Sequence, residues 1–170
     1  FAPPGSRKFF RLFSNLPANL LVIVGFSMSK GYTMYGYRSG CMIGISSDKD
    51  VIAEFYNVNQ YSNRATWSNG TRSAMRCLEE LGKNPELMAR VNQEREEYRL
   101  SLEQRAKTFL EEANTVGLEV CPYHAGFFIT VPTVKAKEIA LKLQEENLFI
   151  VPLKRGLRIA ICAIPAEKIK

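Results

Sequence analysis

An α/β chain built in two parts is the fold class this sequence predicts, and three observations predict it. Residues 20–26 form a continuous apolar run, the pattern of a strand covered on both faces in a mostly parallel sheet. Asn84-Pro85 opens a helical pattern that reaches about residue 115, long enough to join two domains. Beyond Gly117, short strand-like and helix-like stretches alternate, as a small α+β layer requires.

Taken in order, residues 1–18 carry Pro3-Pro4-Gly5 and Pro17 and read as a loop followed by a short helix bearing Arg7, Phe9 and Phe10. The strand at 20–26 leads through a glycine-containing loop to a second strand at 41–46. A helix is expected over 48–61, with Ser47 or Asp48 as its cap. Arg64 then falls in a loop, and Ser68 or Asn69 caps a helix that Gly82 ends. Leu87, Val91, Tyr98, Leu100, Ala106 and Leu110 supply an apolar stripe for the long helix. After the break at Gly117, a strand is expected at 127–131, a helix at 134–146, and strands at 148–151 and 157–163, topped by 165–170. The two parts are therefore residues 1–83 and 84–170.

Composition narrows the function. An apolar fraction of 46% in 170 residues is ordinary for a globular domain. The net charge of +6 invites a nucleic-acid partner, yet its distribution argues against one. Arg90, Arg95, Arg99 and Arg105 are interleaved with Glu94, Glu96, Glu97 and Glu103, the pattern of a solvated or salt-bridged helix face. The longest apolar run is far too short to span a bilayer. Cys41, Cys77, Cys121 and Cys162 form no Cys-x-x-Cys pair, which reads as a reduced, cytoplasmic setting. There the Asn69-Gly70-Thr71 sequon would go unused. With His124 as the single histidine, a multi-histidine metal site or a Ser-His-Asp triad has no material, so no metal is expected.

The most informative string runs from Gly25 to Gly40: Gly-Phe-Ser-Met-Ser-Lys-Gly-Tyr-Thr-Met-Tyr-Gly-Tyr-Arg-Ser-Gly. Lys30 stands at the exit of a buried strand, between hydroxyls and ahead of Arg38. An amine that is desolvated and unprotonated attacks aldehydes to form a Schiff base. Ser27, Ser29 and Arg38 offer hydrogen bonds and a planar cationic fork for a phosphate. Together they suit an aldehyde that carries a phosphate ester, as pyridoxal phosphate does. Arg158, on an otherwise apolar strand, calls for a carboxylate partner, because an unpaired buried guanidinium costs several kcal/mol.

Ser-x-Ser-Lys followed by Tyr-Gly-x-Arg-x-Gly resembles the lysine segment of fold-type I pyridoxal-phosphate aminotransferases of the aspartate and aromatic group. Nearly the whole chain follows that group. Arg64-Ala65-Thr66-Trp67-Ser68-Asn69 is similar to the family's Arg-Pro-x-Tyr/Trp-Ser-Asn segment, with alanine in place of the usual proline. His124-Ala125-Gly126-Phe127-Phe128-Ile129 resembles its small-domain strand, and Gly156-Leu157-Arg158-Ile159-Ala160-Ile161-Cys162 the strand of its carboxylate arginine. The resemblance implies that Lys30 bonds the cofactor aldehyde and carries the proton in catalysis. Ser27, Ser29 and Arg38 bind the phosphate, and Ser68 approaches the phosphate of a neighbouring subunit. Arg158 holds the substrate α-carboxylate, and Arg64 reaches into the neighbour to meet a side-chain carboxylate. It follows that the substrates are an acidic or aromatic amino acid and a 2-oxo acid, and that the protein is a homodimer.

Members of the group are more than twice as long. By resemblance, then, residues 1–83 are the end of the large cofactor domain, and 84–170 are the interdomain helix plus the small domain. The chain is expected to be a carboxyl-terminal portion. The family's aspartate facing the pyridine nitrogen and its tyrosine at the phenolic oxygen would precede Phe1, on a companion polypeptide or lost. Without them no useful transamination is expected, since the cofactor needs protein groups to tune it. Two alternatives stay open: another fold-type I activity such as a β-lyase or decarboxylase, and a non-catalytic interaction module.

Overall fold

The computed structural model describes residues 5–6 and 8–169; Pro3, Pro4, Arg7 and Lys170, named above, lie outside them. The chain divides into two compact units, one through Arg95 and the other from Glu96 onward. Among the described residues no helix is long and apolar enough to cross a membrane.

In the first unit, a 3-10 turn at Lys8–Phe13 gathers Phe9, Phe10 and Phe13, with Phe9 and Phe10 stacked at 4.4 Å. Strand β1 (Val22–Ser27) then enters the one-turn helix α1 (Met28–Gly31). Strand β2 (Gly40–Ile45) returns beside β1 in the register Val22 to Ile45 through Ser27 to Gly40. The pairing is antiparallel, which corrects the expectation of a mostly parallel sheet for these strands. A parallel return needs a crossover that carries the chain back along the sheet. Residues 28–39 instead fold locally, through α1 and a 3-10 turn at Tyr35–Tyr37, and deliver the chain back at the same end. Nor is β1 covered on both faces: Val22, Val24 and Phe26 are half-buried, while Ile23 is 54% exposed.

Helix α2 (Lys49–Thr66) is capped by Asp48, whose Oδ1 accepts from the amides of Asp50 and Val51. It lies against β2, where a Cβ on Gly44 would sit 2.7 Å from the Phe55 ring. The helix runs past the expected end at residue 61, so Arg64 is helical and not in a loop. Ala65 explains this, because a proline there would push residue 64 out of the helical region.

Helix α3 (Arg72–Lys83) also outruns its expected end and contains Gly82. The stop comes from Asn84, held extended at φ −115° and ψ 100° ahead of Pro85. The Asn84 Oδ1 then accepts from the amides of Glu86 and Leu87 at 3.1 Å each, so one residue ends α3 and caps α4 (Pro85–Thr115). Gly117, at φ +67°, closes α4 in the left-handed conformation that favours glycine. The expected bounds of this helix match those observed.

The second unit holds the packed core. Strands β3 (Phe128–Pro132), β4 (Val151–Leu153) and β5 (Gly156–Ala160) form an antiparallel sheet in the order β3-β5-β4. Ile129 and Val131 pair with Ile159 and Leu157 and share one face by strand alternation. Helix α5 (Ala136–Glu145) seals part of it with Ala136 and Ala140. Ala106 of α4 closes on Ile129 and Ile161, and Val120 touches both clusters. Burying each such isoleucine or leucine stabilises the fold by roughly 1.5–3 kcal/mol. A side chain on Gly156 would strike the Val131 carbonyl oxygen at 2.8 Å, so glycine keeps β5 tight against β3.

Candidate active site

The Lys30 turn is built around Met28. Its side chain is 1% exposed, its amide donates to the Ser39 carbonyl at 3.1 Å, and its carbonyl accepts from the amides of Tyr32 and Met34. Ser27 is the extended residue at the end of β1, and its Oγ accepts from the Ser29 amide at 3.2 Å, starting α1. Lys30 projects from this turn, and it is exposed, in contrast to the expected desolvated strand exit. Its Nζ lies over the Tyr35 ring, 4.7 Å from the centroid.

Arg38 reaches the same ring. Its guanidinium carbon is 4.6 Å from the Tyr35 centroid, and its Nη1 donates to the Tyr35 carbonyl at 3.1 Å. The backbone of Arg38 is left-handed at φ +50°, as is that of Thr33 at φ +53°, an arrangement that costs about 1 kcal/mol or more per residue and collects at functional loops. Two cations eight positions apart are thus gathered at one aromatic ring. With Ser27 and Ser29 in the same turn as Lys30, these groups supply an amine and a guanidinium fork suited to a dianion, a set whose chemistry fits a phosphorylated aldehyde.

Arg64 and Ser68 are brought together as well. The Arg64 Nη1 donates to the Ser68 Oγ at 2.6 Å and to its carbonyl at 3.3 Å, with Ser68 at φ +67°. Ser68 caps no helix; Thr71 precedes α3, and its hydroxyl donates to the Tyr37 carbonyl at 3.3 Å. That bond ties the Ser68 segment to the loop that carries Arg38. Ser27, Ser29, Lys30, Arg38, Arg64 and Ser68 all belong to the unit through Arg95.

Arg158 belongs to the other unit. It pairs in register with Thr130 and Val151, on the strand positions opposite the apolar face. Its guanidinium rests 4.6 Å from the Phe128 centroid, and its buried Nε has no hydrogen-bond partner. A donor in that condition costs roughly 1–3 kcal/mol until an acceptor arrives, more because it is charged. A carboxylate is the acceptor whose geometry matches the fork.

Tyr35, the first residue of the Tyr-Gly-x-Arg-x-Gly motif, is already a candidate for the site in the sequence, and Arg95 is not. Tyr35 unites Lys30 with Arg38. Arg95, expected on a salt-bridged face, instead donates from Nε to the Gly31 carbonyl at 2.7 Å and stacks 4.2 Å from the Tyr32 centroid. Of the interleaved arginines, Arg99 does pair with Glu96 and Glu103, and their hydrogen bonds hold it above the usual arginine range. Arg105 donates to the Cys162 carbonyl at 2.9 Å. No signal in the sequence separates Arg95 from Arg99, because the contact joins residues 64 positions apart.

In the second unit, an apolar groove of about 490 Å³ is lined by Phe109, Val116, Phe149, Ile159, Ile164 and Ile169 among others, and none of the expected site residues faces it. Among the described residues, no group of three or more His, Cys, Asp or Glu could hold a metal ion.

No curated protein sequence matches the chain. An aminotransferase from Anaerococcus prevotii is 47% identical over 96% of the chain, with a TM-score of 0.91. The aspartate aminotransferase of Plasmodium falciparum shares the fold at 22% identity over 96% of the chain, with a TM-score of 0.70. A double mutant of Thermus thermophilus aspartate aminotransferase shares it at 23% identity over 90%, with a TM-score of 0.67. The chain spans 40%, 40% and 39% of the lengths of these three structures. The family profile described as aminotransferase class I and II matches residues 4–170, so the chain belongs to that family.

Proposed function

We propose that this chain is part of a pyridoxal-phosphate-dependent aminotransferase that moves an amino group from an acidic or aromatic amino acid to a 2-oxo acid. The observation that carries the reading is the convergence of the Lys30 amine and the Arg38 guanidinium on Tyr35. Enzymes of this family depend on pyridoxal phosphate. When bound, that group supplies an electron sink for negative charge at the substrate's α-carbon.

The residues of the chain divide the remaining work. Lys30 would hold the aldehyde carbon, and Ser27, Ser29 and Arg38 the phosphate. The Lys30 Nζ would take the proton from the substrate's α-carbon, a general-base role that requires its neutral form. Arg158 clamps the α-carboxylate bidentately and so orients the bond to be broken; its unpartnered Nε supports this assignment. Arg64 and Ser68, both exposed, serve the site of a second copy in a homodimer, with Arg64 meeting a side-chain carboxylate and Ser68 the phosphate. For that, the bond between Arg64 and Ser68 must open.

The chain mixed with pyridoxal phosphate and reduced with borohydride should carry the label at Lys30, and Lys30→Ala should abolish it with no change in melting temperature. Absence of label from the unsubstituted chain would sink the cofactor assignment. In a full-length enzyme that carries this segment, formation of glutamate from aspartate and 2-oxoglutarate supports transfer. Ammonia or carbon dioxide without glutamate would point to a β-lyase or decarboxylase.

A further inference from the structure

We propose that Arg95 is a positioning residue for Lys30, which it steadies through the carbonyl of Gly31 and the ring of Tyr32; the proposal rests on the reading of Lys30 given above. Three contacts hold the Arg95 guanidinium. Nε donates to the Gly31 carbonyl at 2.7 Å, the planar group stacks on Tyr32 at 4.2 Å, and Nη1 donates to the Asn92 Oδ1 at 2.9 Å. The side chain is half-buried, and Asn92 lies on its own helix, so the fork is held from behind.

The need for such a clamp follows from the length of α1. A helix of four residues cannot stabilise itself, and its last carbonyls have no following turn to meet. The Met28 carbonyl is used by the amides of Tyr32 and Met34. The Gly31 carbonyl, adjacent to Lys30, is used by Arg95. A cation at a helix carboxyl terminus is also favoured by the helix dipole. Tyr32 in turn meets Phe26 of β1 edge to face at 6.3 Å, so Arg95, Tyr32 and Phe26 form a column from α4 to the strand. Buried Met28 fixes one side of Lys30 and Arg95 the other. The backbone at Lys30 is thereby held from both sides, which is what a group that must present its amine at one fixed place requires. Lysine could not replace Arg95, because an ammonium cannot make the carbonyl bond and cover the ring at once.

The test uses this chain with pyridoxal phosphate. The rate of borohydride-trapped labelling at Lys30 is read by peptide mass, and amide exchange is measured in the ligand-free chain. Arg95→Ala should slow labelling about tenfold and speed exchange at the Tyr32 and Met34 amides by a similar factor. Added ethylguanidinium should restore both, and Arg95→Lys should not, a rescue pattern that general loss of stability would not give. Should Arg95→Ala fail to fold, Tyr32→Leu, which removes the ring and leaves the Gly31 bond, should show a smaller shift in both measurements. Unchanged exchange at Tyr32 and Met34 in a folded Arg95 or Tyr32 variant overturns the proposal, whatever the cofactor does. Faster exchange in a chain that takes no label at Lys30 supports the clamp and removes the cofactor reading instead.

Discussion

The two units of this molecule differ in what they bury. The unit from Glu96 contains Ala106, Ile129, Val131, Leu157 and Ile161 in a core between one sheet face and two helices. In the unit through Arg95, Met28 and Ala74 are the fully buried apolar residues among those described, while Ile23, Met42, Tyr56, Tyr61 and Trp67 stand exposed. Yet six of the seven expected site residues lie in this sparsely packed unit. Conformational stability and the candidate cofactor chemistry are therefore concentrated in different halves, and a substitution should reveal which half it touches by what it changes.

The largest expected effect is on stability. Ile129→Ala should lower the unfolding free energy by about 2–5 kcal/mol, because it empties a site that is 1% exposed. Ile23→Ala, at a position 54% exposed, should cost under about 1 kcal/mol. Denaturant titration of both would break the comparison if the two losses were equal. An intermediate effect is expected at Tyr35. Tyr35→Leu should weaken pyridoxal-phosphate binding about tenfold through loss of two cation–π contacts, while Tyr35→Phe keeps the ring and most of the affinity. An equal loss in Phe and Leu would assign the effect to the hydroxyl.

The smallest effect concerns pH. Burial, and secondarily the charge of Glu103, push the Tyr123 hydroxyl above its ordinary value of 10.0. Between the ordinary and the folded value, the folded chain holds a proton that the unfolded chain has released. Stability is therefore fully present below about pH 10 and falls as pH rises through the folded value. Tyr123→Phe should flatten that fall, measured as the change in urea midpoint between about pH 9 and 11. It should also lower stability at neutral pH, since the hydroxyl donates to the Gly126 carbonyl at 2.8 Å. A slope identical to that of the parent would remove Tyr123 from the alkaline transition.

How much was legible depended on the range of the determining interaction. Helix α4 matched because its signals are local: Asn84-Pro85 opens it and Gly117 closes it. The meeting of Lys30 with Arg38 at Tyr35 is local for a similar reason, since all three lie within one short string. Strand pairing was not, because an apolar run has the same composition whether its neighbour runs parallel or antiparallel. The bounds of α2 were missed through a single residue, Ala65, whose tolerance of helix outweighed the loop expected around Arg64. The exposure of Lys30 and the reach of Arg95 depend on contacts across tens of residues, which no local pattern encodes.

One glycine sets how the lysine segment can vary. A Cβ on Gly40 would lie 2.3 Å from the Phe26 carbonyl oxygen, so the register pair of Ser27 and Gly40 forms a neck that admits no side chain. Everything from Met28 to Ser39 is in effect a noose drawn tight at that point. The entropy of closing a loop grows slowly with its length, about 0.6 kcal/mol for a doubling, so the chain could lengthen here at little expense to stability. The eight-position interval between Lys30 and Arg38 is then not dictated by the thermodynamics of the hairpin. On the reading proposed above, that interval would instead match the phosphorylated aldehyde that the amine and the guanidinium hold between them.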